Sequence, residues 1–223
     1  PEEFMSISEK CGLCVCGQSG NLAPCDKKLY ALRDVPGTVA VRGLIVSSIM
    51  SKKLASGSDA IVLDVKCGSG AFMKTKEDAE ALAELMEKIG DGLNRNVRAV
   101  VTDMDTPLGH NIGNALEVTE AIEVLKGGGP DDLRGVALTL CAHLISMING
   151  VDYDTAYDMA ENSIADGSAY DKLCEWIAAQ GGDIDKIAPL SPSYDVVARC
   201  DGVIEKMEEL KDAKLHPERH ANL

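Results

Sequence analysis

Arg33, Ser48 and Lys52 are the residues of this 223-residue chain whose types and spacing best suit chemistry. Ser48 and Lys52 stand four apart, just over one helical turn, so a hydroxyl and an ammonium share one helix face. Arg33 stands beside a turn at Pro36-Gly37 and adds a guanidinium. Three such groups facing one cleft suit a ligand with carbonyl oxygens or developing negative charge. The sequence carries no nucleophile elbow, no Ser-His-Asp order and no carboxylate pair at diagnostic spacing. The expected chemistry is therefore the positioning of two substrates and the stabilisation of charge, without a covalent nucleophile from the protein.

The elements that must present these groups follow from periodicity. Residues 44–55 read as a helix anchored by Leu44, Ile45, Ile49 and Met50, and Asp26 reads as the N-cap of a shorter helix through Leu32. Residues 60–65 form a continuous apolar run, the pattern of a buried parallel strand. A helix over 76–89 follows, with an apolar stripe of Ala79, Leu82, Leu85, Met86 and Ile89, and then a strand over 96–103. Strand, helix and strand at this spacing predict a βαβ unit with a right-handed crossover. Further helices are predicted over 115–125, 131–148, 154–165 and 168–180, with Gly127-Gly128-Gly129-Pro130 separating the first two. Residues 11–17 read as a short buried strand, 187–192 as a connector, 196–204 as a strand, turn and strand start, and 211–223 as a frayed polar tail. The fold class expected is α/β with a mainly parallel sheet.

Composition narrows the partners. Lys and Arg total 22 against 36 Asp and Glu, a net charge of -14. Such a surface repels phosphate backbones and anionic lipid, so neither nucleic acid nor a membrane is an expected partner. No apolar run reaches spanning length and no signal peptide pattern is present. The first residue is Pro1, and the expectation is a chain that begins inside a longer protein. Of the 8 cysteines, Cys11, Cys14 and Cys16 cluster, with Cys25 nearby. No second Cys/His pair follows at zinc spacing, so these read as small hydrophobes more readily than as a metal site. Scattered thiols fit a cytoplasmic location.

Other candidates are weaker. Lys66-x-Gly68-x-Gly70 after a strand reads either as an anion cradle or as a tight turn, the latter being commoner. His110 lies in a loop at the carboxyl end of the second strand, where open α/β sheets place ligands. His143 falls within an apolar helix, and His216 and His220 in the polar tail. Glu117 and Glu120 read as a solvated helix face, or one of them as a ligand to a hard cation beside loop carbonyls.

Four segments together carry a resemblance. They are Leu22-Ala23-Pro24-x-Asp26-Lys27-Lys28-Leu29-Tyr30-Ala31-Leu32-Arg33-Asp34-Val35; Ser47-Ser48-Ile49-Met50-Ser51-Lys52-Lys53-Leu54; Asp64-Val65-Lys66-x-Gly68-Ser69-Gly70-Ala71-Phe72-Met73; and Thr102-Asp103-Met104-Asp105-x-Pro107-Leu108-Gly109 with Gly113-Asn114-Ala115-Leu116-Glu117-Val118. In this order and spacing the chain resembles the pyrimidine-nucleoside phosphorylase and thymidine phosphorylase family over residues 8–206.

The resemblance implies phosphorolysis of a pyrimidine (deoxy)ribonucleoside to the free base and a sugar 1-phosphate, with inorganic phosphate as co-substrate and no organic cofactor. It implies a small α lobe and a large α/β lobe, and a cytoplasmic homodimer. Residues 1–24 would begin the α/β lobe, 25–56 would be an α-lobe segment, 57–190 the central α/β lobe and 191–223 the start of a C-terminal domain. Arg33, Ser48 and Lys52 would bind the base, with Arg33 and Lys52 catalytic, and Tyr30, Ile45 and Phe72 would line the pocket. The carbonyls of Leu108 and Asn111 and the Glu120 carboxylate would hold a potassium ion. Ala40-Val41-Arg42-Gly43 stands where the family usually has Asp-Ser-Ile-Pro, and Cys67 where Val is common. The family's Lys-x-Ser and glycine-rich phosphate segment is not in this sequence. A competing expectation is therefore a catalytically incomplete base-binding remnant. A phosphoribosyltransferase is a third reading, but the sequence shows no pyrophosphate and magnesium site.

Overall fold

Ile61, Leu63 and Val65 point to one face of an extended segment, because side chains alternate along a strand, and all three are buried. In the computed structural model, which describes residues 2–15, Cys25, Lys28, 41–187, Val197 and Gly202, this segment is β1 (Ala60–Cys67). It pairs in parallel with β2 (Asn96–Asp103), in a register running from Ala60 opposite Asn96 to Cys67 opposite Asp103. The element order is α1 (Glu2–Cys11), α2 (Arg42–Ala55), β1, α3 (Lys76–Gly92), β2, α4 (Asn114–Leu125), α5 (Asp131–Asn149), α6 (Tyr153–Ala165) and α7 (Ser168–Ala179). The α/β class and the βαβ unit stand as the sequence predicts, and the predicted bounds of α2 through α7 agree to within a few residues.

The crossover helix α3 starts where its chemistry says it should. Thr75 is the N-cap, its side chain accepting the Asp78 amide, and Glu77 and Asp78 favour the positive end of the helix. Its inner face, Ala79, Leu82, Ala83 and Met86, packs with β1 and with Val46 and Met50 of α2 in one core. Fully burying a Leu or Met side chain such as Leu82 or Met86 contributes about 1.5–3 kcal/mol. Leu85 and Ile89 complete the stripe as partly buried neighbours.

Of the tetrapeptide Ala40-Val41-Arg42-Gly43, Ala40 lies outside the described residues, and Arg42 and Gly43 form the start of α2. Val41 provides no side-chain cap, but Arg42 in the first turn pairs with Asp78 of α3 at 2.6 Å. Asp78 thus serves the α3 cap and fastens α2 to α3.

The helices after β2 form a second cluster. Leu138 of α5 packs with Ala160 and Ile164 of α6, with Ile145, Tyr157 and Ala169 around them. Gly150 closes α5 in the left-handed region, and Asp152 caps α6 by accepting the Thr155 amide. Across the chain, Gln180 holds the backbone of Val15 at both ends. Its Oε1 accepts the Val15 amide at 3.0 Å, and its Nε2 donates to the Val15 carbonyl at 2.9 Å.

One expectation fails. Residues 11–17 do not begin as a strand, because Cys11 is the last residue of α1, and residues 13–15 are irregular. Alternating cysteines satisfy the period of a strand, yet Cys11 is buried as part of a helix docked on α7, where Lys172 Nζ donates to its carbonyl. Cys16 and Gly17 lie outside the described residues, as do the 188–192 part of the connector, nearly all of the 196–204 segment, and the 211–223 tail. Of the expected helix after Asp26, Lys28 alone is described, and it is helical. No single helix among the described residues is long and apolar enough to cross a membrane.

Candidate functional site

The first candidate region is the outer face of α2. Val46 and Met50 are 1% and 2% exposed and fix the inner face. Two residues further on, about 200° around the helix, Ser48 and Lys52 must face away from that core. Lys52 Nζ donates to Ser48 Oγ at 3.4 Å, so the pair expected from spacing does meet. Lys52 also lies in the last helical turn, where a cation suits the carbonyl end. Ile45 is partly buried against the core. Tyr30 and Arg33 lie outside the described residues.

A second candidate region is the carboxyl end of the two strands. After β1 the chain makes a tight loop over residues 68–73. Gly68 N donates to the Met73 carbonyl, Gly70 N to the Met104 carbonyl and Ala71 N to the Gly68 carbonyl. Ser69 N donates to Asp105 Oδ1 at 2.7 Å. Every amide from 68 to 71 is therefore spent inside the protein, and Lys66 is paired with Asp64 at 2.8 Å. The glycine pattern is the tight-turn alternative rather than an anion cradle. Phe72 is 64% exposed between Ala71 and Met73, each 7% exposed, so the loop carries a bare ring on a buried base. Burial, with Asp105 and Asp103 beside it, pushes the Cys67 thiol up, which makes it a poor nucleophile.

A third candidate region is the loop between β2 and α4. Glu120, on α4, is buried, which removes the solvated-face alternative for this residue. Its carboxylate accepts the His110 amide at 3.0 Å and the Asn111 amide at 3.4 Å. Gly109 sits against it with a positive φ, and a Cβ there would overlap Glu120 Oε2. Asp132, at the start of α5, accepts the Gly109 amide at 3.0 Å, and that bond holds its carboxyl below the usual range. Glu117 is exposed and caps locally, accepting the Gly113 amide at 2.8 Å. The loop bearing Leu108 and Asn111 is thus pinned by two carboxylates.

Each oxygen of a carboxylate has two lone pairs, so Glu120 retains acceptor capacity beside its two amides. That capacity is what a hard cation would use at this carboxylate.

The remaining sequence candidates separate. The His110 side chain is exposed and its backbone belongs to the Glu120 contact. His143 packs tilted against Tyr153, with ring centroids 4.8 Å apart. Among the described residues, no three His, Cys, Asp or Glu side chains group as a metal site. His216 and His220 lie outside the described residues. Sequence reasoning passed over Asp105, Asp132 and Asp78. Each acts on a backbone amide or a cation from 23 to 36 residues away, except where Asp78 caps its own helix.

A family profile described as a glycosyl transferase family a/b domain matches residues 1–170. The chain is similar to proteins named pyrimidine-nucleoside phosphorylase. It is 51% identical over 213 residues to that of Staphylococcus haemolyticus, covering 92% of this chain and 49% of the relative. The Bacillus subtilis protein is 48% identical over 213 residues, with the same shares of 92% and 49%. The Staphylococcus aureus protein is 54% identical over 181 residues, covering 81% of this chain and 42% of the relative. The chain spans about half the length of these relatives. With the profile matched over most of its length and a parallel βαβ core in place, the chain belongs to the glycosyl transferase family a/b domain.

Proposed function

We propose that this chain is the base-recognising part of a pyrimidine-nucleoside phosphorylase, which cleaves a pyrimidine (deoxy)ribonucleoside with inorganic phosphate to base and sugar 1-phosphate. The observation that carries the reading is the Ser48–Lys52 pair on the solvent face of a helix whose opposite face is locked in the core. Breaking the glycosidic bond leaves negative charge on the pyrimidine ring. Lys52 and Arg33 would hydrogen-bond the ring carbonyls and stabilise that charge, while Ser48 orients the ring. Tyr30, Ile45 and Phe72 would wall the pocket. Phosphate is the nucleophile, so no activated Ser or Cys is needed, and positioning carries much of the rate. Potassium fits as a structural ion of the Leu108, Asn111 and Glu120 loop. A cytoplasmic homodimer is the setting that accompanies this activity.

The test is product release by the intact protein. Thymine or uracil should appear from the nucleoside when phosphate is present and not when it is omitted. Release at the same rate without phosphate would identify a hydrolase and overturn the proposal.

A second reading, a base-binding unit without a phosphate site of its own, is favoured by the internal use of the amides from Gly68 to Ala71. Calorimetry on this chain with thymine and then phosphate separates the two. Heat with thymine alone supports the binding unit, and heat with both supports a complete site.

A further inference from the structure

Two strand-end loops are joined by a set of contacts that the reaction outlined above does not use. Asp105, two residues past β2, accepts the Ser69 amide at 2.7 Å on Oδ1, while Ser69 Oγ donates to the Asp105 carbonyl at 3.3 Å. The neighbouring Gly70 amide donates to the Met104 carbonyl at 2.9 Å. Gly68 has a φ of +134°, and a Cβ there would lie 2.8 Å from Asp105 N, Asp105 Oδ1 and the Met104 carbonyl carbon. The loop therefore approaches Asp105 so closely that only glycine fits. Lys74 completes the arrangement by donating to the Ser69 carbonyl at 2.8 Å.

The consequence falls on Phe72. A ring that is 64% exposed has little packing of its own to hold it, so its position is set by the backbone on either side. On one side, Ala71 N closes onto the Gly68 carbonyl. On the other, the Met73 carbonyl accepts the Gly68 amide. Gly68 and Ser69 are in turn fixed by Asp105. An aromatic wall held this way costs little further ordering when a flat ligand stacks on it.

We propose that Asp105 is a positioning residue for nucleoside binding, which acts by clamping the 68–73 loop so that Phe72 is preset against the base. The proposal rests on the phosphorylase reading for the identity of the ligand and for Phe72 as a wall of its pocket. A charge-assisted bond from a carboxylate to a backbone amide is among the stronger hydrogen bonds, and a loop that loses it must be ordered by the ligand instead.

The experiment measures steady-state phosphorolysis by the intact protein with Asp105→Ala and Asp105→Asn, varying nucleoside and phosphate separately. Phosphate-dependent release by the unaltered protein tests the phosphorylase reading on its own, before any variant is compared. Asp105→Ala should raise the nucleoside KM by about tenfold with the phosphate KM unchanged, as expected for a lost bond to a charged group. Asp105→Asn keeps an oxygen to accept the Ser69 amide and should return the nucleoside KM to within about threefold of the original. Thymine binding by calorimetry should weaken in parallel, which keeps the test open if turnover is too slow to measure. An unchanged nucleoside KM in Asp105→Ala overturns the proposal. So does an equal rise in both KM values, or an Asn variant no better than the Ala variant.

Discussion

The Glu120 carboxylate accepts the backbone amide of His110 at 3.0 Å from a buried position on α4. A second amide, from Asn111, reaches the other oxygen at 3.4 Å. Removing this acceptor leaves two backbone donors without their partner. Glu120→Ala should therefore destabilise the chain by about 1.5–3 kcal/mol, the range for hydrogen bonds to a charged group. Glu120→Gln retains one acceptor oxygen and should lose less. Urea unfolding of both variants checks this, and equal losses would mean that the retained amide oxygen cannot replace the carboxylate as an acceptor.

Met50 ties the presentation of Lys52 to the core. It is 2% exposed and packs in the cluster that includes Val65 and Met86. Met50→Ala should cost roughly 2–5 kcal/mol through lost transfer energy and a residual cavity. Met50→Leu preserves volume and should cost under about 1.5 kcal/mol. Thermal unfolding gives the ordering. Equal stability of the two variants would contradict the packing that holds the Ser48 and Lys52 face outward.

His143 gives the chain a pH response away from the site. Burial and, secondarily, the Arg98 charge lower its pKa below the ordinary imidazole value, against a smaller opposing effect of Glu87. The unfolded chain then binds the proton more readily than the folded one. The neutral ring's stabilisation is present above the ordinary value of about 6.5, and it is lost as pH falls through that value toward the folded pKa. Stability should fall on acidification across this window, and His143→Phe should flatten the fall. A Tm series from pH 8 to pH 5, roughly bracketing that imidazole value, checks it. An identical slope in the variant would assign the dependence elsewhere.

Local pattern carried most of the architecture. The run from Ala60 to Val65 and the stripe from Ala79 to Ile89 are set by short-range periodicity, and both stand where that periodicity puts them. The Ser48–Lys52 contact was legible for the same reason, since four residues on a helix is a local fact. The strand reading of residues 11–17 failed because a short apolar run has no period long enough to tell strand from helix. Asp105 reaching Ser69 across 36 residues, and Gln180 reaching Val15 across 165, depend on the assembled fold. Glu120 lay between these cases. Its helix was plain, but its burial depends on a loop that folds back over it.

Lys52 tests the central claim most directly. If its ammonium stabilises charge on the departing base, Lys52→Ala should lower kcat/KM for the nucleoside by about 10²–10³, or about 2.7–4 kcal/mol, the usual cost of losing one preorganised donor. That ratio, measured in the intact protein against the unaltered protein at saturating phosphate, is the decisive number. A loss of that size supports base recognition by the α2 face, and an unchanged kcat/KM would contradict it.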